Sequence, residues 1–150
     1  MTTGAADSVF VDTNVLVYRA ISQAPLHTEA ITAMEARYNA GLRLWTSRQV
    51  LGEYLADLSR PQPFTNPLPA PVLVSDVRQF ESRFRVAEDS PAVTARLLDL
   101  LQQFTVGGKQ VHDANIVATM LVHGIPRLLT ANAADFMRFS SVIAVEPLAP

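Results

Sequence analysis

The stretch VFVDTNVLVY, residues 9–18, decides the fold. Residues 9–11 form an apolar run of the length expected for a short buried strand, and the run ends abruptly in the acid Asp12. An apolar pattern with helical spacing resumes at about Asn14. A buried strand that leads directly into a helix predicts the first unit of an α/β domain.

The same alternation of short strands and helices continues along the chain. It predicts a three-layer α/β/α sandwich with a central, mainly parallel sheet. We predict one domain over residues 1–150. Predicted strands lie at 42–46, 86–87, 127–130 and 142–145; predicted helices lie at about 26–39, 48–58 (with Ser47 as N-cap), 75–85, 91–104, 112–123 and 133–138.

A proline-rich segment at residues 61–71 interrupts this pattern. It holds five of the ten prolines in the chain. Proline lacks the backbone N–H that helices and central strands need, so neither is expected there. We predict a surface loop within the domain, because neither flanking part is long enough to fold alone.

The composition limits the classes of protein that fit. With 49% hydrophobic and 17% charged residues, the chain can bury a core. The absence of cysteine excludes disulfides and thiolate metal sites, and it fits a reducing cytoplasm. No signal-peptide pattern opens the sequence, and no run of about 18 apolar residues occurs, so no membrane span is expected.

The net charge of −2 bears on any contact with nucleic acid. Proteins that hold nucleic acid mainly through their own cations are usually basic. If this chain binds a phosphate backbone, the positive charge must be local or must come from metal ions.

Two acids follow or flank predicted strands in the first half of the chain. Asp12 comes directly after the first strand, at the edge where parallel sheets bind ligands, although a helix N-cap would use the same residue type. Glu53 lies off the apolar stripe formed by Leu51, Tyr54, Leu55 and Leu58. It could therefore be a solvated surface acid, and Asp57 competes with it one turn later.

Two further acids lie in the second half. Asp113 shares a helical face with Ile116 and Met120, and an acid on an apolar face is costly unless it is capped, paired or bound to metal. Its place in the first helical turn makes helix-dipole stabilisation the alternative. Asp135 follows Asn132 by three residues, as in a capping box.

Side chains from these distant segments could meet at one edge of the sheet. Several carboxylates cannot stay ionised side by side without a counter-charge. Hard divalent cations such as Mg²⁺ or Mn²⁺ prefer such oxygen ligands. Zinc is disfavoured, because the chain has no cysteine and only three histidines.

The motifs VDTNVLVY, the Glu53 helix, HDANIVATMLVHG and LLTANAADF, in this order, resemble a PIN domain. More narrowly, they are similar to the VapC-type ribonuclease toxins of bacterial toxin–antitoxin pairs. The resemblance runs from Val9 to about Pro147. It implies a PIN-like fold, Mg²⁺- or Mn²⁺-dependent cleavage of RNA in the cytoplasm, a cognate VapB-like antitoxin, and a homodimer.

The resemblance also implies which residues form the site. By position, Asp12, Glu53 and Asp113 match the core acids that bind metal and support catalysis. The fourth position falls in TANAADF, where either Asn132 or Asp135 could fill it. We expect Asp135 to complete the acid cluster and Asn132 to orient ligands. The other polar positions that match as supports are Thr13, Asn14 and Thr130.

Several features of the sequence allow two interpretations. His112 precedes the third acid and could serve as a general base, although packing is the commoner use of a lone histidine. The proline-rich segment, which departs from the family pattern, could contact RNA or antitoxin, or could be a passive loop. Candidate contacts to the RNA backbone, each with a solvated surface charge as the alternative, are Arg48, Arg60, Lys109 and Arg138.

Rival functions remain. A HAD-like phosphotransferase also begins with a strand ending in an acid, but it needs a second acid two residues later and a lysine further on. This chain has Asn14 at the second position, and its only lysine is Lys109. A response-regulator receiver domain usually has paired acids near its first strand and a lysine after a late strand, and this chain has neither. A PIN-like domain that binds partners without catalysis is the other alternative.

Overall fold

A sheet of five parallel strands forms the centre of the part that the structure, a computed structural model, describes: residues 7–149. The expectation about a leader sequence concerns a terminus that lies mostly outside these residues. The strands are β1 (Ser8–Val11), β2 (Arg43–Ser47), β3 (Arg85–Ala87), β4 (Arg127–Thr130) and β5 (Ala144–Pro147), arranged in the order β3-β2-β1-β4-β5.

Helices connect each strand to the next and cover the sheet, which confirms the predicted α/β/α class. Their bounds are α1 (Thr13–Ala20) and α2 (His27–Asn39) between β1 and β2, α3 (Arg48–Leu58) and α4 (Ala70–Arg83) between β2 and β3, α5 (Pro91–Gln103) and α6 (Gln110–His123) between β3 and β4, and α7 (Ala133–Phe136) with a 3₁₀ turn (Met137–Phe139) before β5.

The central strand β1 is the most deeply buried. Val9, Phe10 and Val11 have no exposed surface, and neither do Leu128 and Leu129 of the adjacent β4. A strand covered on both faces needs apolar residues at every position, not at alternate ones. This is why the opening stretch reads as a continuous apolar run.

The order of the strands reverses between β1 and β4. From β1, the chain adds β2 and β3 on one side, and β4 and β5 on the other side. In parallel sheets the crevice for ligands lies at such a reversal, beyond the carboxyl ends of the strands. Asp12 directly follows β1 there, and its N–H extends the sheet by donating to the Leu129 carbonyl at 3.0 Å.

Several predicted boundaries are wrong by one to five residues, and the starts of α4 and β5 are two of them. Helix α4 begins at Ala70, five residues before the predicted start, with Pro69 as its N-cap and Pro71 in its first turn. Proline is tolerated in that turn because the first N–H groups of a helix have no partner within the helix. The final strand pairs from Ala144, opposite Arg127, so it begins two residues later than predicted.

The remaining proline-rich segment, residues 59–69, is tied to its neighbours. The Phe64 ring meets the Tyr18 ring of α1 edge-on, with 5.9 Å between centroids. Gln62 and Thr65 form an isolated antiparallel bridge, and the N–H of Leu68 donates to the last carbonyl of α3 at 2.8 Å. These contacts attach the segment to α1 and α3.

Two residues assigned to inner helical faces are exposed. Leu55 is 36% exposed, because the buried stripe of α3 is centred on Tyr54 and includes Val50 in place of Leu55. Tyr38, in the last turn of α2, is 70% exposed and lines a cavity of about 600 Å³ between α2 and α4, together with Phe80. Over residues 7–149, no helix has the length and apolarity that crossing a membrane would require.

Candidate active site

Asp12 is held rigidly where β1 passes into α1, and only 5% of it is exposed. Its Oδ1 accepts the N–H of Thr13 at 2.8 Å, which makes Asp12 the N-cap of the helix. Its Oδ2 accepts the Thr130 hydroxyl at 2.8 Å and Nδ2 of Asn14 at 3.2 Å. The capping role and a place in the site, which were alternatives in the sequence, belong to one carboxylate.

Asn14 and Thr130 join the ends of β1 and β4. Oδ1 of Asn14 accepts the N–H of Ala131 at 2.9 Å, and the Thr130 hydroxyl accepts the N–H of Asn132 at 3.0 Å. These bonds fix the chain just beyond β4 relative to Asp12. The polar positions predicted as supports therefore surround the first acid.

Glu53 reaches the same edge from the second turn of α3. The Thr13 hydroxyl donates to Oε1 of Glu53 at 2.6 Å. Because the N–H of Thr13 also donates to Asp12, this one residue contacts both acids. The prediction that Glu53 could be a free surface acid is therefore wrong; Asp57 instead pairs with Arg60 at 3.0 Å.

Asp113 lies in the first turn of α6, partly buried. Its pKa is raised to about 6, mainly by burial and then by the carboxylates of Asp135 and Glu53, while Arg138 and His112 lower it. The positive end of the helix dipole adds stabilisation, but the acid remains reluctant to ionise. Asp113 therefore lies within electrostatic range of two other predicted acids, Glu53 and Asp135.

The electrostatics of Asp12 link it to the same group. Its pKa is raised to about 6, mainly by burial, and the hydrogen bonds from Thr130 and Thr13 counteract part of the effect of burial. The negative charges of Glu53 and Asp113 raise it again. Asp12 therefore lies within electrostatic range of Glu53 and Asp113, although these residues are 41 and 101 positions away in the chain.

The two candidates for the fourth position, Asp135 and Asn132, are exposed at the rim of the acid cluster. Asp135 is exposed in α7 and acts on Asp113 through its charge. Asn132 stands at the N-cap position of α7, but its side chain makes no capping hydrogen bond, so the predicted capping box does not form. The backbone bond from Asp135 to the Asn132 carbonyl, at 3.0 Å, holds the turn instead.

The chemistry of the cluster suits a hard cation. Its donors are carboxylate, hydroxyl and amide oxygens, and the pKa values of Asp12 and Asp113 are raised by burial and by neighbouring carboxylates, effects that a bound cation would offset. Within residues 7–149, no three acidic or histidine side chains lie close enough to hold an ion together. An ion would thus take few direct protein ligands and keep water, which is the usual habit of Mg²⁺.

The cations named from the sequence divide into two groups. Arg48 bridges Glu81 at 2.6 Å and Glu88 at 3.2 Å on the surface, so it has the expected role of a solvated charge. Arg138 instead donates to the Thr105 carbonyl at 2.8 Å and lowers the pKa of Asp113. It is therefore the named cation with a demonstrated effect on the acid cluster.

Two polar residues at the site escaped sequence reasoning. Gln49 donates to Oε2 of Glu53 at 3.0 Å and to the His112 carbonyl at 2.9 Å, and it accepts from Asn115 at 2.7 Å. The spacing of four residues between Gln49 and Glu53 puts them on the same side of a helix, and this was the one available signal.

Comparison with known proteins gives consistent findings. Residues 9–140, which include all four acid positions, match the family model described as PIN domain. Ribonuclease VapC48 of Mycobacterium tuberculosis is 32% identical over 145 residues, covering 91% of this chain and 94% of that protein.

Solved structures share the fold. One is a toxin–antitoxin complex from Klebsiella pneumoniae, with a TM-score of 0.66, 22% identity, and coverage of 93% of this chain and 97% of that one. Another is VapC20 of M. tuberculosis, described as a sarcin–ricin loop cleaving toxin, with a TM-score of 0.64, 18% identity, and coverage of 91% and 96%.

Proposed function

The chain belongs to the PIN domain family, and on that premise we propose that it is a ribonuclease toxin of a toxin–antitoxin pair. It hydrolyses RNA phosphodiester bonds with the help of a divalent metal ion. The observation that supports this proposal is that Thr13 contacts both Asp12 and Glu53, while Asp113 lies within electrostatic range of the same two acids. The 32% identity to a ribonuclease over nearly the whole chain supports the reaction class.

Ribonucleases of the PIN family use divalent metal ions. We propose Mg²⁺ or Mn²⁺ here, because the donors of the cluster are oxygens. Asp12, Glu53 and Asp113 would hold the ion partly through its bound water, because no three acidic side chains of residues 7–149 lie close enough to bind it together, and Asp135 would contribute charge from the rim. When bound, such an ion supplies charge that neutralises a phosphodiester and lowers the pKa of water.

The protein groups around the acids orient them. Thr13 contacts two of the acids at once, through its N–H and its hydroxyl. Asn14 and Thr130 keep Oδ2 of Asp12 facing the crevice. Asn132 follows them at the rim, where an exposed amide can contact ligand. In this proposal, no side chain acts as a nucleophile.

The test is cleavage of total RNA by the purified chain with Mg²⁺, Mn²⁺ or EDTA. We expect cleavage with the ions and none with EDTA. Asp12→Asn and Asp113→Asn should each reduce the rate by more than about 100-fold, beyond the loss typical of an outer-shell partner. Asp99→Asn, an exposed acid of α5 paired with Arg96, is the matched control and should keep full activity.

The alternatives predict other results. A HAD-like phosphotransferase would form an aspartyl phosphate on Asp12, but the position two residues later is Asn14, which is engaged with the backbone after β4. A PIN-like module without catalysis would neither cleave RNA nor bind the ions in calorimetry. Full activity of the Asp12 and Asp113 variants would overturn the site assignment.

The partner we propose is a VapB-like antitoxin, supported by the shared fold with a chain of a toxin–antitoxin complex. The proposed location is the cytoplasm, where RNA substrates are found. We also propose a homodimer, and the exposed Tyr38 and Leu55 provide apolar surface between residues 26 and 58 for it. Sedimentation analysis of the purified chain tests the dimer, and co-purification with a small protein encoded next to its gene would support the antitoxin.

A further inference from the structure

Gln49 forms an unusually complete set of hydrogen bonds between α3 and α6. Its Nε2 donates to Oε2 of Glu53 at 3.0 Å and to the His112 carbonyl at 2.9 Å. Its Oε1 accepts from Nδ2 of Asn115 at 2.7 Å. Both amide hydrogens and the amide oxygen are therefore used, so the side chain has one well-defined orientation.

This amide completes the hold on the second acid. Oε1 of Glu53 accepts the Thr13 hydroxyl at 2.6 Å, and Oε2 accepts from Gln49. Each carboxylate oxygen thus has its own donor, one from α1 and one from α3. A carboxylate that accepts a hydrogen bond on each oxygen cannot rotate freely, so these bonds orient it before a ligand binds.

The same amide fixes the third acid indirectly. His112 and Asn115, which contact Gln49, flank Asp113 in the first two turns of α6. These two bonds tie the first turns of α6 to the first turn of α3. The Gln49 contacts therefore set how far Glu53 lies from Asp113.

We infer that Gln49 is a positioning residue: its amide fixes the Glu53 carboxylate and the spacing between Glu53 and Asp113. It acts through these two acids and not on RNA. The inference rests on the proposed function, because the spacing between the two acids matters for activity only if they hold a metal ion for RNA cleavage. A clip that only stabilises the contact of α3 with α6 is the competing explanation.

The experiment compares the wild type with Gln49→Leu, which keeps the volume but removes every hydrogen bond. Gln102→Leu, at an exposed glutamine of α5, is the matched control. The readouts are kcat and KM on an RNA oligonucleotide with Mn²⁺, the affinity for Mn²⁺ by calorimetry, and the melting temperature without metal.

We expect Gln49→Leu to lower kcat and Mn²⁺ affinity by about 10- to 100-fold, the usual effect of losing an outer-shell partner. KM should change by less than about threefold, because no contact with RNA is lost. The melting temperature should fall by only a few degrees. Gln102→Leu should match the wild type in all three readouts.

Two results would overturn the inference alone. One is a variant with unchanged kcat and Mn²⁺ affinity but a lower melting temperature, which identifies a structural clip. The other is a raised KM with unchanged kcat, which identifies a contact with RNA. If the wild type itself neither binds Mn²⁺ nor cleaves RNA, both the proposed function and this inference fail together.

A second variant keeps the test valid if Gln49→Leu does not fold. Asn115→Leu leaves the bond from Gln49 to Glu53 possible but removes the donor that orients the amide oxygen. We expect a smaller loss of kcat and Mn²⁺ affinity, in the same direction and again without a change in KM. Wild-type values in a folded Asn115→Leu protein would count against the inference.

Discussion

The hydroxyl of Thr130 donates to Oδ2 of Asp12 at 2.8 Å, although the two residues are 118 positions apart in the chain. The bond joins the ends of the two strands between which the sheet order reverses. It stabilises the charged form of a buried acid and so lowers a pKa that burial raises. It is therefore both a structural tie and a control on the charge of the site.

Replacing Thr130 by Val removes this hydroxyl and keeps the shape of the side chain. We expect the pKa of Asp12 in the metal-free protein to rise above its value of about 6, because the charged form loses a donor. Carboxyl NMR titration measures it. Thr130→Ser, which keeps the hydroxyl, is the control, and an unchanged titration in the Val variant would contradict the assigned cause.

The stability of the metal-free protein should depend on the charge of Asp12. Its pKa is about 6 in the folded protein, whereas an ordinary aspartate has a pKa of 3.8, so the folded state binds the proton more tightly than the unfolded state. The folded state is therefore stabilised as the pH falls through 6 toward 4, and this stabilisation is lost as the pH rises through 6. Asp113 acts in the same direction.

Comparison with Asp12→Asn isolates this contribution from other titrating groups. Relative to the variant, the wild type should gain about 1 kcal/mol of unfolding free energy between about pH 7.5 and about pH 5. Urea unfolding in EDTA measures the difference. If the wild type instead loses stability relative to the variant as the pH falls from about 7.5 to about 5, the pKa of Asp12 is not raised in the folded protein.

The fourth acid position can be assigned by two substitutions. Asp135→Asn removes a charge that raises the pKa of Asp113, so that pKa should move down toward 3.8. RNA cleavage should fall by about 10-fold, as for a supporting group. Asn132→Ala should cost less, because its side chain makes no capping bond in α7. The reverse order of the two losses would assign the fourth position to Asn132.

The proline-rich segment, residues 59–69, is expected to be a structural loop. Phe64→Ala removes its edge-on contact with Tyr18 and should lower the free energy of unfolding by about 1–2 kcal/mol. RNA cleavage should stay at the wild-type rate, since the recorded contacts of the loop go to α1 and α3. Phe64→Leu should recover part of the stability. A selective loss of cleavage in a stable Phe64→Ala protein would instead favour contact with RNA.

Local sequence signals were strong enough to predict most of the fold. The apolar run at 9–11 identifies a strand buried on both faces, and Ser47 indeed caps α3 by accepting the N–H of Val50 at 3.2 Å. Gly124 ends α6 with a φ of 70°, a conformation that glycine adopts without strain. Such signals are contained in a few adjacent residues, so a single sequence carries them.

The features that sequence reasoning missed depend on contacts between distant segments. Gln49 reads as an ordinary surface amide until α6 is placed beside α3, 63 positions away along the chain. The exposure of Tyr38 depends on where α4 ends relative to α2. The acids themselves were predicted to converge because parallel topology directs strand ends to one edge, but their hydrogen-bond partners follow from packing and not from spacing.

The position of β1 between β2 and β4 has a consequence for the order of events during translation. The ribosome releases Asp12 and Glu53 early, whereas Thr130 and the rest of the β4 edge emerge only after most of the polypeptide exists. A nascent or prematurely terminated chain therefore has carboxylates but no assembled centre. If the chain is the ribonuclease proposed above, its acid cluster cannot be assembled before β4 has been synthesised.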